Sequence, residues 1–245
     1  MRRNHQILTT ICLFLVFSGS TATAQQDKRR SSLTRAELKE IERLLKDLGY
    51  WPGPVDGQID PATRSALIAF QKYLGRPITG EFTVGELEAI RTSTSPTPRD
   101  GAYEHVEVDL DRQVLLLVNG DGAVKVLPVS TGSGETFTDE GATSVAYTPR
   151  GRFIVYNKMV GWEYGPLGAL FYANYISGGV AIHGSRNVRT QPVSHGCIRV
   201  PMFAAREVSR LMPLGTIVLV YDRISFVSAK SWSENPKLKL SASIE

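Results

Sequence analysis

The stretch "QVLLLVNGDGAVKVLPVS", Gln113 to Ser130, reads as two β-strands folded about an Asn-Gly-Asp-Gly turn, a strong hairpin signal. Upstream, Val106, Val108 and Leu110 alternate with polar residues, the period of a strand. Downstream, further strands are expected at Phe153–Tyr156, Val180–His183 and Thr216–Tyr221, with one helix over Met202–Leu211. Residues 103–222 should therefore form a mainly β domain, a sandwich or flattened barrel.

The pattern before this domain is helical. Thr34 and Glu37 make a capping box ahead of an apolar face of Leu38, Ile41, Leu45 and Leu48, closed by Gly49. Asp60 and Pro61 open a second helix with Leu67, Phe70 and Leu74 on one face and Gly75 as its stop. Thr83 and Glu86 repeat the box before Leu87 and Ile90. Helices this short need one another, so residues 33–92 are expected to make a small three-helix domain with its own core. The Ser/Thr/Pro-rich "RTSTSPTPRDG", Arg91 to Gly101, reads as a semi-rigid linker, bounded here at 93–102. The fold class is thus multidomain α+β.

At the N-terminus, Arg2 and Arg3, an apolar run from Ile7 to Phe17 and the ending Ala22-Thr23-Ala24 have the layout of a secretory signal peptide over residues 1–24. The run is too short to span a bilayer, so no stable membrane insertion is expected after cleavage. Cleavage lowers the formal charge of +4 by the two arginines, to +2, and no basic stripe suggests nucleic acid. The tail, 223–245, has mixed charge and weak periodicity and receives no assignment.

Of the two cysteines, Cys12 lies in the signal peptide, which leaves Cys197 alone in a compartment where cysteines pair. It stands in "PVSHGCIRV", Pro192 to Val200. Two of the three mature histidines, His183 and His195, lie within fourteen residues of it, and His105 is expected to face solvent. A thiol attacks as the thiolate and needs a base or positive surroundings. His183 ends the apolar strand of "GGVAIHGS" and can project into a cleft. Gly196 allows a tight turn whose amides can meet one oxygen, and Arg199 offers a fork for a carboxylate. The aromatic "MVGWEYGPLGALFYANYISGG", Met159 to Gly179, is expected as a loop or lid, with Trp162, Tyr164 and Tyr172 as substrate walls.

Two resemblances sharpen this picture. "LGYWPGPVDGQIDPATRSALIAFQ", Leu48 to Gln71, resembles the peptidoglycan-binding domain, with Tyr50, Trp51 and Asp56 as candidate contacts. "IHGS" followed by "SHGCIRV", with "TPRGRF" and "LGTIVLVYD" as flanking strands, resembles the L,D-transpeptidase catalytic domain of the YkuD family over about residues 103–222. The resemblance implies Cys197 as nucleophile and His183 as its base. His195 and the backbone of Gly196 and Cys197 would line the oxyanion site, and Arg199 and Ser194 would contact substrate. It implies no cofactor and no metal. It also implies peptidoglycan as partner, carbapenem-type β-lactams as inhibitors, and action in the cell envelope through a thioester that releases D-alanine.

Four rivals use the same residues. A zinc site from two His and one Cys lacks the usual short ligand spacing. A sortase-like peptidase fits the trio but not the upstream wall-binding domain. An L,D-carboxypeptidase would use water as acceptor, and a catalytically inactive wall-binding protein would keep only the helical function.

Overall fold

The computed structural model describes residues 33–139 and 141–224, so the expected signal peptide and the tail from residue 225 lie outside it. Among the described residues, no helix is long and apolar enough to cross a membrane. Helix α1 (Arg35–Asp47) begins as expected, with the Thr34 hydroxyl accepting from the Glu37 amide and the Glu37 carboxylate accepting from the Thr34 amide. Asp60 caps α2 (Pro61–Tyr73) and Thr83 caps α3 (Val84–Arg91). At α3 the box is only half formed, because the Glu86 carboxylate turns to Gln71 and Arg76.

The first sheet comprises β1 (His105–Asp109), β2 (Val114–Val118), β3 (Val124–Pro128), β6 (Gly151–Ile154) and β12 (Ile217–Tyr221). Its order is β3-β2-β1-β12-β6, with β1 and β12 parallel and the other pairs antiparallel. The second comprises β7 (Asn157–Lys158), β9 (Gly168–Ser177), β10 (Val180–Ser185) and β11 (Ile198–Pro201), in the order β11-β10-β9-β7, and β8 (Trp162–Gly165) also pairs with β9. Here β10 and β11 are parallel. A separate hairpin of β4 (Thr136–Asp139) and β5 (Ala142–Val145) is mostly exposed, and α4 (Ala205–Arg210) packs on β9 and β10. The two sheets lie flattened against one another without closing, over a core that includes Val106, Val108, Leu115, Ile182, Ile198 and Val218.

The run "VLLLV" of β2 is buried at all five positions, which a sheet open to water on one face would not allow. Leu115 and Leu117 enter the core between the sheets. Val114, Leu116 and Val118, with Val124 and Val126 of β3, point the other way and pack with Ile41, Leu45, Phe70, Leu87 and Ile90. Contrary to the expectation from their sequence, the helices do not close a core of their own; they share one with the outer face of the hairpin.

Lys72 of α2 is buried at this boundary, where its Nζ donates to the carbonyls of Gln113 at 3.2 Å and Val129 at 2.8 Å. Burial lowers its pKa from 10.5 to about 7. Between those two values the unfolded chain holds more protons than the folded one, so stability should rise with pH across that window. The urea midpoint is expected to increase from pH 7 to pH 9, and to increase less in Lys72→Met. Equal increases in both proteins would show that the amine is not the titrating group.

Two further expectations are corrected here. His105 does not face solvent. It lies in a central strand covered on both faces, with Nδ1 2.7 Å from the Tyr103 carbonyl and Nε2 3.1 Å from the Glu107 carboxylate. Glu107 also accepts from the Arg99 and Asp100 amides and the Tyr221 hydroxyl, which ties the end of the linker to β1. The segment Met159–Gly179 is not a loop: its aromatic and aliphatic residues form β8 and β9 about the turn between Gly165 and Gly168.

Candidate active site

Strands β10 and β11 run in register with Ile182 beside Ile198 and His183 beside Arg199. Side chains alternate along a strand, so His183 and Arg199 share one face with Cys197, two residues before Arg199, while Ile182, Ile198 and Val200 enter the core. The Cys197 Sγ lies 3.5 Å from the Ala181 amide and 3.6 Å from the Gly179 carbonyl oxygen. His183 is buried, and its Nδ1 lies 3.0 Å from the Gly184 carbonyl oxygen. A carbonyl only accepts, so Nδ1 carries the proton and Nε2 is left as the basic nitrogen.

Electrostatics set the resting charge of this pair. Burial pushes the Cys197 thiol up, against the Ala181 amide and the Arg199 charge, which both favour the thiolate. Burial lowers the His183 pKa to about 4, opposed by its bond to Gly184 and assisted by Arg199. Burial therefore favours the neutral forms of both the thiol and the imidazole over an ion pair. Arg199 is half-buried, and no carboxylate among the described residues pairs with it.

The loop before Cys197 is fixed from inside. Gly196 has φ +140°, and a Cβ there would lie 2.9 Å from the Tyr147 carbonyl oxygen, so glycine is required. Its carbonyl accepts from the Thr148 hydroxyl at 2.7 Å, and its amide donates to the Ser194 hydroxyl at 3.1 Å. The Ser194 hydroxyl in turn donates to the Cys197 carbonyl at 2.5 Å. Two expectations change as a result. Ser194 is buried, with its hydroxyl bonded to its own loop, and the Gly196 amide is occupied by that hydroxyl. Ser194→Ala strands two buried backbone groups and should destabilise the fold by about 1–3 kcal/mol, read as a lower urea midpoint. An unchanged midpoint would mean that water replaces the hydroxyl.

Residues 103–220 match the L,D-transpeptidase catalytic domain family, YkuD, and residues 34–90 match a peptidoglycan-binding domain family. The crystal structure of an L,D-transpeptidase from Xylanimonas cellulosilytica is 39% identical, with the likeness covering 78% of this chain and 95% of that one at a TM-score of 0.71. This chain belongs to the L,D-transpeptidase family. A curated relative, localization factor PodJL of Caulobacter vibrioides, is 40% identical over 58 residues, 24% of this chain; the chain spans 6% of the length of PodJL.

Several expected substrate contacts of this family member lie elsewhere. The Tyr172 hydroxyl accepts from Arg206 Nε of α4 at 3.1 Å, and the Tyr172 backbone, at φ +51°, makes an irregularity where β9 passes β10. Trp162 pairs with Phe171, and their rings are 4.9 Å apart. The Phe171 ring lies beside Gly184 together with Ala205, on the α4 side of β10. Trp162 and Tyr172 are thus on the face opposite Cys197. His195 is exposed, its ring 4.6 Å from that of Phe137, in a cavity of about 170 Å³ under the β4–β5 hairpin. Among the described residues, no hydrogen bond joins it to Cys197 or His183.

The sequence reading missed Glu163 and Tyr175. Tyr175 is paired with Ala181, so its ring lies on the thiol face; burial and then Glu163 raise its pKa, and Cys197, once ionised, raises it further. Its hydroxyl donates to Glu163 at 2.7 Å. In the helical domain Tyr50 is buried edge-on to Phe70, a core residue and not a wall contact. Asp56 accepts from the amide and side chain of Gln58 within its own turn. Trp51 stays partly accessible, with Lys125 Nζ 5.0 Å from its ring centre. Among the described residues, no cluster could hold a metal ion.

Proposed function

We propose that the protein is a cysteine-dependent L,D-transpeptidase that acts on peptidoglycan tetrapeptide stems in the cell envelope after export. The observation that carries this reading is the shared face of His183, Cys197 and Arg199 within a domain of this family. The Cys197 sulfur attacks the carbonyl of the third, diamino-acid residue as His183 Nε2 takes the thiol proton. The tetrahedral oxygen meets the Cys197 amide, and Arg199 holds the terminal carboxylate. His183 then gives its proton to the departing D-alanine nitrogen, leaving a thioester. An amine from a second stem attacks this thioester, the C–S bond breaks and the thiol is restored. Two acyl transfers replace one difficult exchange and need no nucleotide.

Incubation of the mature protein with a disaccharide-tetrapeptide should release D-alanine and give a dimer by mass spectrometry. Tripeptide without dimer would favour the L,D-carboxypeptidase reading. No change in the substrate would favour an inactive wall-binding protein.

A further inference from the structure

Lys72 carries the charge of the helical unit to the root of the catalytic loop. Its amine is buried and donates to the carbonyls of Gln113 and Val129, and no carboxylate among the described residues pairs with it. A buried amine costs free energy, and an apolar side chain of the same length would fill that place in the shared core at lower cost. What the amine holds is the point where the chain leaves β3. Gln113 has φ +54°, a conformation that a residue with a side chain keeps only where its surroundings impose it. Its carbonyl accepts from the Val129 amide at 2.9 Å as well as from Lys72.

The residues that follow, 130–133, bracket Cys197. The Gln113 side chain grips Thr131: Nε2 donates to the Thr131 hydroxyl at 2.7 Å, and Oε1 accepts from the Thr131 amide at 3.0 Å. The Thr131 carbonyl then accepts from the Ser194 amide at 2.9 Å, and Ser130 exchanges two backbone bonds with Arg199, at 3.0 and 3.2 Å. The Gly132 amide donates to the Thr148 hydroxyl, the same hydroxyl that holds the Gly196 carbonyl. Gln113, Ser130, Thr131 and Ser194 are all buried, so these bonds do not compete with bulk water. Both flanks of the nucleophile are tied to one segment, and that segment is tied through Gln113 and Val129 to one amine of α2. We propose that Lys72 is a positioning residue for the thiol: by holding Gln113 and Val129 it sets the seat of residues 130–133, so that the docked helical unit fixes where Cys197 stands. The effect on turnover rests on the transpeptidation proposed above, whereas the effect on the loop does not.

Lys72→Met keeps the length of the side chain and removes the donor. Leu87→Ala is the control, because it opens a cavity in the same shared core from α3 and touches none of these bonds. Hydrogen exchange of the folded mature chain, read by mass spectrometry, should be faster in peptides covering residues 129–133 and 194–199 of Lys72→Met and unchanged there in Leu87→Ala. With the disaccharide-tetrapeptide, kcat for D-alanine release should fall about tenfold or more in Lys72→Met, since a small misplacement of a reacting group costs on that scale. The KM should change less, because β10 still holds Arg199 in register, and Leu87→Ala should keep the wild-type kcat. Thr131→Val severs the link to Gln113 from inside the catalytic domain and should quicken exchange at 194–199 in the same way, which keeps the proposal open to refutation if Lys72→Met does not fold. Wild-type exchange at 194–199 in either variant, or an equal acceleration in Leu87→Ala, would overturn the positioning role. If exchange quickens as expected but the wild type releases no D-alanine, the transpeptidase reading falls and the hold of Lys72 on the loop stands.

Discussion

Cys197→Ala is expected to reduce D-alanine release by about 10⁴-fold or more, the scale on which enzymes lose rate when a covalent nucleophile is removed. The substitution removes one sulfur from a half-buried position, and the loop around it is held by Ser194, Thr148 and the fit of Gly196, none of which contacts that sulfur through a hydrogen bond. Folding and wall binding should therefore persist. The comparison is intact-protein mass spectrometry of both proteins with the tetrapeptide fragment, where a thioester adduct should appear on the wild type alone. A carbapenem should add its mass to the wild type and leave the variant unmodified. Residual turnover within tenfold of wild type would remove Cys197 from the mechanism.

His183→Ala should lower acylation by about 10²- to 10⁴-fold, the usual contribution of a general base. Because the resting thiol and imidazole are both neutral, proton transfer must accompany attack. Two results follow. Thiolate absorbance should be absent in the wild type at pH 6, and alkylation of Cys197 at neutral pH should be slower still in the variant. A thiolate signal at pH 6 would reveal an ion pair and overturn this reading. His183 also carries a stability signature, since its pKa falls from 6.5 to about 4 on folding. Between those values the unfolded chain binds the extra proton, so stability decreases as pH falls through that window, and the variant should lack this decrease.

The hairpin at Gln113–Ser130 and the helix caps were legible because each is written in a few adjacent residues, and His183, Cys197 and Arg199 fall within one short span of sequence. What was not legible depends on which way a side chain faces. Trp162 and Glu163 are neighbours in sequence on opposite faces, and the irregularity at Tyr172 decides which face of β9 meets the thiol. Aromatic composition drew attention to Trp162 and Tyr172, while the register brings Tyr175 to the thiol face. Ser194 could not be assigned without seeing that its hydroxyl folds back on its own loop. The docking of the helices did leave a trace: five successive apolar residues in β2 need cover on both faces, and only one cover is available between the sheets.

That shared cover makes the linker a poor place to divide the chain. A protease that cut at residues 93–102 and shed the helices would leave Val114, Leu116, Val118, Val124 and Val126 as a bare apolar sheet face. Each such side chain contributes roughly 1.5–3 kcal/mol when buried, and an exposed patch of this kind invites aggregation. The helices that match the peptidoglycan-binding family and the outer face of the hairpin therefore stand or fall together: the loss of one leaves the other bare.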